Sequence, residues 1–139
     1  MKILLVNGPN LNRIGIRHPE IYGNQRFEDF LEELRRQYPE VELEYFQSNH
    51  EGALIDFLQA RSESAQGLII NGGGLSHTSV SLADAVADTG LSAIEVHISD
   101  VYSREAFRQH SYLQQVCIKQ INGMGLPGYR VALDYFLGK

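Results

Sequence analysis

The run "LIINGGGLSHTS", residues 68–79, carries apolar residues into an asparagine, three consecutive glycines and then Ser-His-Thr-Ser. A short apolar run that ends on glycine reads as a buried strand feeding a turn. Beyond the turn, Val80, Ala83, Val86 and Ala87 fall on one helical face. Ser76 is a candidate N-cap for that helix and Gly90 a candidate stop. Strand, Gly-rich turn and helix in succession suggest an anion-binding turn at a helix N-terminus. No Lys-Ser/Thr pair follows the glycines, so a P-loop is disfavoured.

The same alternation extends in both directions. Strands are expected at 2–6, 41–47, 67–71, 92–98 and 115–121. Phe27, Phe30, Leu31, Leu34 and Tyr38 line one face of a first helix, and Ala53, Leu54, Phe57 and Leu58 one face of a second. The third follows the glycines, a fourth, shorter one is expected over 103–110, and a fifth over roughly 129–137. Strands alternating with helices predict a parallel sheet with right-handed crossovers and helices on both faces. With five strands, the simplest expectation is a flavodoxin-like three-layer α/β sandwich of order 2-1-3-4-5. Ligands in such sheets sit beyond the carboxyl ends of the strands. The segments that should converge there are "NGPNLN", "NGGGLSH" and "HISDVYSR".

The chain has 139 residues, enough for one domain over 1–139 with a full core. A net charge of −5 disfavours nucleic acid as the main partner. The apolar run Ile3 to Val6 is far too short for a signal peptide or a membrane span. Cys117 is the single cysteine, which excludes an internal disulfide and points to the cytoplasm. The three lysines, Lys2, Lys119 and Lys139, are badly placed for a Schiff base. The histidines lack metal-ligand spacing, so no metal is expected.

Four constellations carry chemistry. The connection from Asn7 to about Asn24 is long for a βα loop, as functional lids are. It holds Arg17 and Tyr22. A guanidinium lowers the pKa of a neighbouring phenol and makes a tyrosinate base accessible. The same spacing also fits a packed tyrosine and a solvated arginine. Glu95 and His97 are two apart on a strand and share a face. They suit a general acid with its orienting carboxylate, or a satisfied histidine at a sheet edge. His77, Ser81, Asp84 and Asp88 form a polar stripe, either solvated or turned to a neighbouring subunit or ligand. Arg104 and Arg108, four apart, would project together toward an anionic or hydroxylated substrate or toward solvent.

"NGPNLNRIGIRHPEIYG", "FQSNHEGALIDFL", "HTSVSLADA", "EVHISDVYSREAFRQHSYL" and the "GYRVALDY" tail occur in order over nearly the whole chain. Together they resemble the type II 3-dehydroquinate dehydratases. That resemblance implies a flavodoxin-like enzyme without a cofactor. The reaction would convert 3-dehydroquinate to 3-dehydroshikimate and water, in the shikimate pathway or in quinate breakdown. The family's usual assembly is a dodecamer, a tetramer of trimers. By motif, Tyr22 resembles the base that removes the C2 proton, and Arg17 the residue that lowers its pKa. His97 resembles the acid for the departing C1 hydroxyl, oriented by Glu95. Asn10 resembles the residue holding a water against the enolate oxygen. The substrate carboxylate would lie on the Asn71 side chain and the backbone of Ile98 and Ser99. His77, Arg108 and a neighbouring subunit's Asp84 would hold the ring hydroxyls.

The chain departs from the family's usual "NPGAYTHTS". Gly72 stands for a proline, Gly74 for an alanine, Leu75 for an aromatic residue and Ser76 for a threonine. His18 stands where an acidic residue is common. Loss of the proline enlarges the unfolded ensemble and is expected to cost several tenths of a kcal/mol. Such changes leave room for a related hydroxylated cyclic acid as substrate. The Gly-rich turn alone would also fit a binding module for a nucleotide or small anion.

Overall fold

The computed structural model describes residues 1–16, 20 and 24–139. Arg17, His18 and Tyr22 lie outside the described residues. The strands are β1 (Lys2–Asn7), β2 (Glu42–Gln47), β3 (Gly67–Asn71), β4 (Ser92–His97) and β5 (Lys119–Asn122). The helices are α1 (Phe27–Gln37), α2 (Glu51–Arg61), α3 (Val80–Asp88) and α4 (Pro127–Leu137). All four strand pairings are parallel and the order is β2-β1-β3-β4-β5, as the alternation predicts.

Each strand serves two cores, because successive side chains point to opposite faces. Ile3, Leu5, Ile69, Ile94 and Val96 pack with Phe27, Phe30 and Leu34 of α1 and Tyr129 and Leu133 of α4. Leu4, Val6, Leu68 and Ile70 pack with Leu54 and Leu58 of α2 and Leu82 and Val86 of α3. Burial of each such large side chain contributes about 1.5–3 kcal/mol. The buried stretches 3–6 of β1 and 68–70 of β3 are therefore wholly apolar, and each is followed by a polar residue at the strand's carboxyl end. There the register sets polar groups side by side: Asn7 beside Gln47 and Asn71, and His97 beside Asn122. Among the described residues no helix is long and apolar enough to cross a membrane.

Several boundaries differ from the sequence expectation. Ser76 does not cap α3. It lies buried in a 3-10 turn, Gly73–His77, with an unpartnered hydroxyl, while its carbonyl accepts the Tyr112 N–H at 2.8 Å. Ser79 is the cap, its hydroxyl oxygen accepting the Leu82 N–H at 2.8 Å and its hydroxyl donating to Glu51. The glycines continue as a tight turn instead of opening the helix. Val80 and Ala87 are exposed, and α3 buries Leu82, Ala83, Ala85 and Val86 instead. The helix stops where expected, with Gly90 at φ +69°.

The helix expected over 103–110 is two 3-10 turns, Val101–Ser103 and Ala106–Arg108, separated by extended backbone at Arg104. Short polar side chains compete with helical hydrogen bonds there. Asp100 accepts the Tyr102 N–H at 3.1 Å, and Ser103 donates to the Asp100 carbonyl at 2.9 Å. The last strand starts four residues later than expected, because Leu113–Val116 is also a 3-10 turn. The last helix starts earlier, with Pro127 in its first turn, where a missing N–H costs nothing.

Candidate active site

A cavity of about 550 Å³ opens at the carboxyl edge of the sheet. Asn10 reaches it from the segment after β1. Asn71 and His77 reach it from the end of β3 and the turn that follows. His97, Ile98 and Ser99 come from the end of β4, and Arg104 and Arg108 from the turns beyond. Glu20 also borders it. Glu95 stands behind His97, fully buried. Asp84 is exposed on α3 and does not line the cavity, and Ser81 and Asp88 are exposed with it. The stripe is therefore solvated in the single chain, and His77 is drawn away from it by the 3-10 turn.

Close backbone approach makes this convergence possible. The Gly8 N–H donates to the Asn71 carbonyl at 2.8 Å. A Cβ on Gly8 would stand 2.4 Å from the Gly72 oxygen. Gly73 has φ +58°, and a Cβ there would stand 2.9 Å from the Pro9 oxygen. Asn10 is itself left-handed, at φ 71°, and its N–H donates to the Asn49 side chain at 2.9 Å.

The Asn71 amide is held at both ends. Its Oδ1 accepts the Gly73 N–H at 3.0 Å, and its Nδ2 donates to the Tyr129 hydroxyl at 3.1 Å. Tyr129 in turn donates to Asn7 Oδ1 at 2.8 Å. Nδ2 carries a second proton, and this is the donor Asn71 can turn to a ligand.

His97 Nε2 lies 2.6 Å from Glu95 Oε2. Ser111 also donates to Oε2, and Gln120 Nε2 donates to Oε1 at 3.0 Å. Burial pushes the Glu95 pKa up. The His97 hydrogen bond and charge, with the Ser111 and Gln120 donors, outweigh it and hold the carboxyl below its ordinary range. An ionised carboxylate can only accept, so His97 Nε2 carries a proton and Nδ1 is the atom left to exchange one. His77 Nδ1 lies 2.7 Å from the His110 carbonyl, so this nitrogen carries the proton and Nε2 keeps its lone pair. Burial, with the charges of His97 and Arg108, holds the His77 pKa below 6.5 against the His110 hydrogen bond. Arg108 pairs with Glu105 at 2.6 Å, and Arg104 Nη1 donates to Ser99 Oγ at 3.3 Å.

The structure thus brings together Asn10, Asn71, Glu95, His97, Ile98, Ser99, His77 and Arg108 from the sequence-level candidates. Sequence reasoning missed Asn7, Ser111, Gln120 and Tyr129, which support them. Only the strand register, which places Gln120 beside Glu95, points to any of these.

A carboxylate-backed imidazole beside a neutral one, on a polar cavity flanked by guanidinium groups, belongs to an α/β enzyme of acid–base type. The sequence profile of the class II dehydroquinases matches residues 1–137, and the chain belongs to that family. It is similar to the 3-dehydroquinate dehydratase of Herminiimonas arsenicoxydans, 48% identical over 140 residues that cover 99% of this chain and 97% of the relative. The enzyme of the same name from Prochlorococcus marinus is 45% identical over 140 residues, covering 99% and 95%. The crystal structure of the type II dehydroquinase from Butyrivibrio crossotus matches with a TM-score of 0.95 at 44% identity, covering 99% of this chain and 97% of that one.

Proposed function

We propose that the chain converts 3-dehydroquinate to 3-dehydroshikimate and water, as a type II dehydratase, by trans elimination through an enolate. The observation that carries this reading is His97, aimed at the cavity and backed at 2.6 Å by a buried Glu95 in a chain of this family. Elimination of a hydroxyl β to a ketone needs a base, an acid and stabilisation of the enolate. Tyr22, as phenolate, takes the C2 proton, and Arg17 stabilises that phenolate. The electron pair flows to the C3 carbonyl oxygen, where a water held by Asn10 donates to the enolate. The enolate collapses to the C1–C2 double bond as the C1 hydroxyl leaves, and His97 Nδ1 gives it the proton that makes it water. Tyr22 ends protonated and His97 neutral, and proton exchange with solvent restores both. The motif supports the roles of Arg17 and Tyr22, and the geometry described above supports those of His97 and Glu95.

The substrate carboxylate takes the free Nδ2 proton of Asn71 and the backbone of Ile98 and Ser99. His77 Nε2 accepts from one ring hydroxyl, and Arg108 donates to another. Asp84 reaches a hydroxyl only from a neighbouring copy, since it is exposed on its own chain. That need supports a homo-oligomer, and the family resemblance supports a dodecamer of four trimers; the single, unpaired Cys117 supports a site of action in the cytoplasm. No nucleic acid or membrane takes part.

The test is to add 3-dehydroquinate and follow the ultraviolet absorbance of the conjugated enone product. Silence at high enzyme concentration refutes the reading. Native mass measurement tests the assembly.

A further inference from the structure

We propose that Gln120 is a positioning residue for the acid, clamping Glu95 from the neighbouring strand and tying it through Tyr102 to the loop after β4. This rests on the dehydratase reading only for the identity of the reaction it tunes.

β4 and β5 run in register, Glu95 beside Gln120 and His97 beside Asn122. Residues two apart on a strand share a face, so the two β5 side chains track the acid pair one for one. An ionised Glu95 only accepts, which orients the Gln120 amide: Nε2 donates to Glu95 Oε1 at 3.0 Å and leaves Oε1 of Gln120 as an acceptor. The Tyr102 hydroxyl fills it at 2.9 Å. Asn122 grips the same loop, accepting the Val101 N–H at 3.1 Å and donating to Asp100 at 2.8 Å. That loop carries Ser99 and Arg104 to the cavity wall. One edge strand thus holds both the carboxylate behind the acid and the segment beside the substrate.

Gln120 does not line the cavity, so its influence passes through Glu95. Oε2 of Glu95 is engaged by His97 and Ser111, while Oε1 faces Gln120. Without that donor, a fully buried carboxylate oxygen loses its hydrogen bond and binds a proton more readily. The other titratable groups near Glu95 are His97, His77 stacked on it, and Cys117, whose thiol is pushed up to about 12 by burial and then by the Glu95 charge. Arg108 bears on the same group through His77. Of these, only His97 touches Glu95, sharing its Nε2 proton with the carboxylate while Nδ1 faces the reaction.

The experiment compares the unaltered enzyme with Gln120→Met, which keeps volume and removes the donor, and with Gln120→Glu, which keeps shape and places a like charge beside Glu95. The acidic limb of the kcat profile should rise by about one pH unit in Gln120→Met and further in Gln120→Glu. KM near neutrality should stay within about twofold. Imidazole NMR titration of the free protein should show the lower step of the Glu95–His97 pair rising in the same order. This readout needs no turnover, so it separates failure of the proposal from failure of the dehydratase reading. An acidic limb and a lower step that both stay in place in folded variants overturn the proposal. So does a changed KM with an unmoved pH profile. If Gln120→Met does not fold, Gln120→Glu alone decides by the same criteria.

Discussion

The rings of His77 and His97 stack with centroids 5.7 Å apart and planes 20° from parallel, yet each meets a different partner. His97 leans on a carboxylate and His77 on a backbone carbonyl. The carboxylate accepts the Nε2 proton of His97 and fixes the ring with Nδ1 turned away from it. The carbonyl fixes a tautomer without supplying charge, and burial keeps His77 neutral as an acceptor. Two identical side chains in contact are thereby held by opposite kinds of partner.

This division predicts how stability depends on pH. His77 titrates below its ordinary 6.5 in the folded chain, so the unfolded chain binds its proton first. Stability is complete above about 6.5 and declines as pH falls below that value. Glu95 is likewise depressed from 4.5, so its contribution is present above about 4.5 and is lost as pH falls further. Thermal unfolding should show a Tm that falls in two stages on acidification. Glu95→Gln should shrink the lower stage, to which Glu44, held down by Arg61 and Lys2, also contributes, and His77→Gln should remove the upper one. An unchanged slope in either variant would contradict the assignment.

Tyr22→Phe and Arg17→Ala should each abolish most turnover of 3-dehydroquinate, by about 10²-fold or more, while leaving the circular dichroism spectrum intact. Near-normal rates in either variant would remove Tyr22 as the base.

The glycine run makes a prediction opposite to the one its composition suggests. Gly72 has φ −74°, which proline could adopt, but a Cβ there would lie 2.6 Å from Ser76 Oγ and 2.9 Å from Leu113 Cδ1. Gly72→Pro should therefore destabilise by about 1–3 kcal/mol, read from urea unfolding, instead of recovering the entropy of a stiffer loop. Gly74 has open space around its missing Cβ and an ordinary φ. Gly74→Ala should be neutral, or stabilising by about 0.4–1 kcal/mol.

Tyr129→Phe deletes the hydroxyl that joins Asn7 to Asn71 in the buried floor of the cavity. It leaves Asn7 Oδ1 without its donor and should cost about 1–3 kcal/mol of stability. With the Asn71 side chain held only through the Gly73 N–H, KM for 3-dehydroquinate should rise several-fold and kcat change less. A KM that does not move would place substrate binding elsewhere.

Much of the fold was legible in the chain itself. Double-sided burial leaves strands such as "KILLV" and "GLIIN" almost wholly apolar, and one-sided burial leaves Phe27, Phe30, Leu31 and Leu34 at helical spacing. Alternation of the two patterns then constrains the sheet to be parallel, with its carboxyl ends on one edge. Glu95 and His97 were legible for a related reason, since a period of two puts them on one face whatever surrounds them. The polar segments 73–79 and 99–116 were not, because Ser, Asp and Gly satisfy backbone groups locally and break the hydrophobic period that marks a helix. Hence the helix start moved from Ser76 to Ser79, and a helix expected after β4 became two short turns.

Local pattern by itself determined the order of elements, the edge at which chemistry gathers, and the pairing of acid with carboxylate, because each depends only on residues close along the chain. Tertiary structure alone decided which atoms of those groups are free. The partners that fix them come from far away: Tyr129 to Asn7 across 122 residues, His110 to His77 across 33, and Gln120 to Glu95 across 25. Such contacts exist only once the sheet has closed and set its register, and they leave no periodic trace in the sequence.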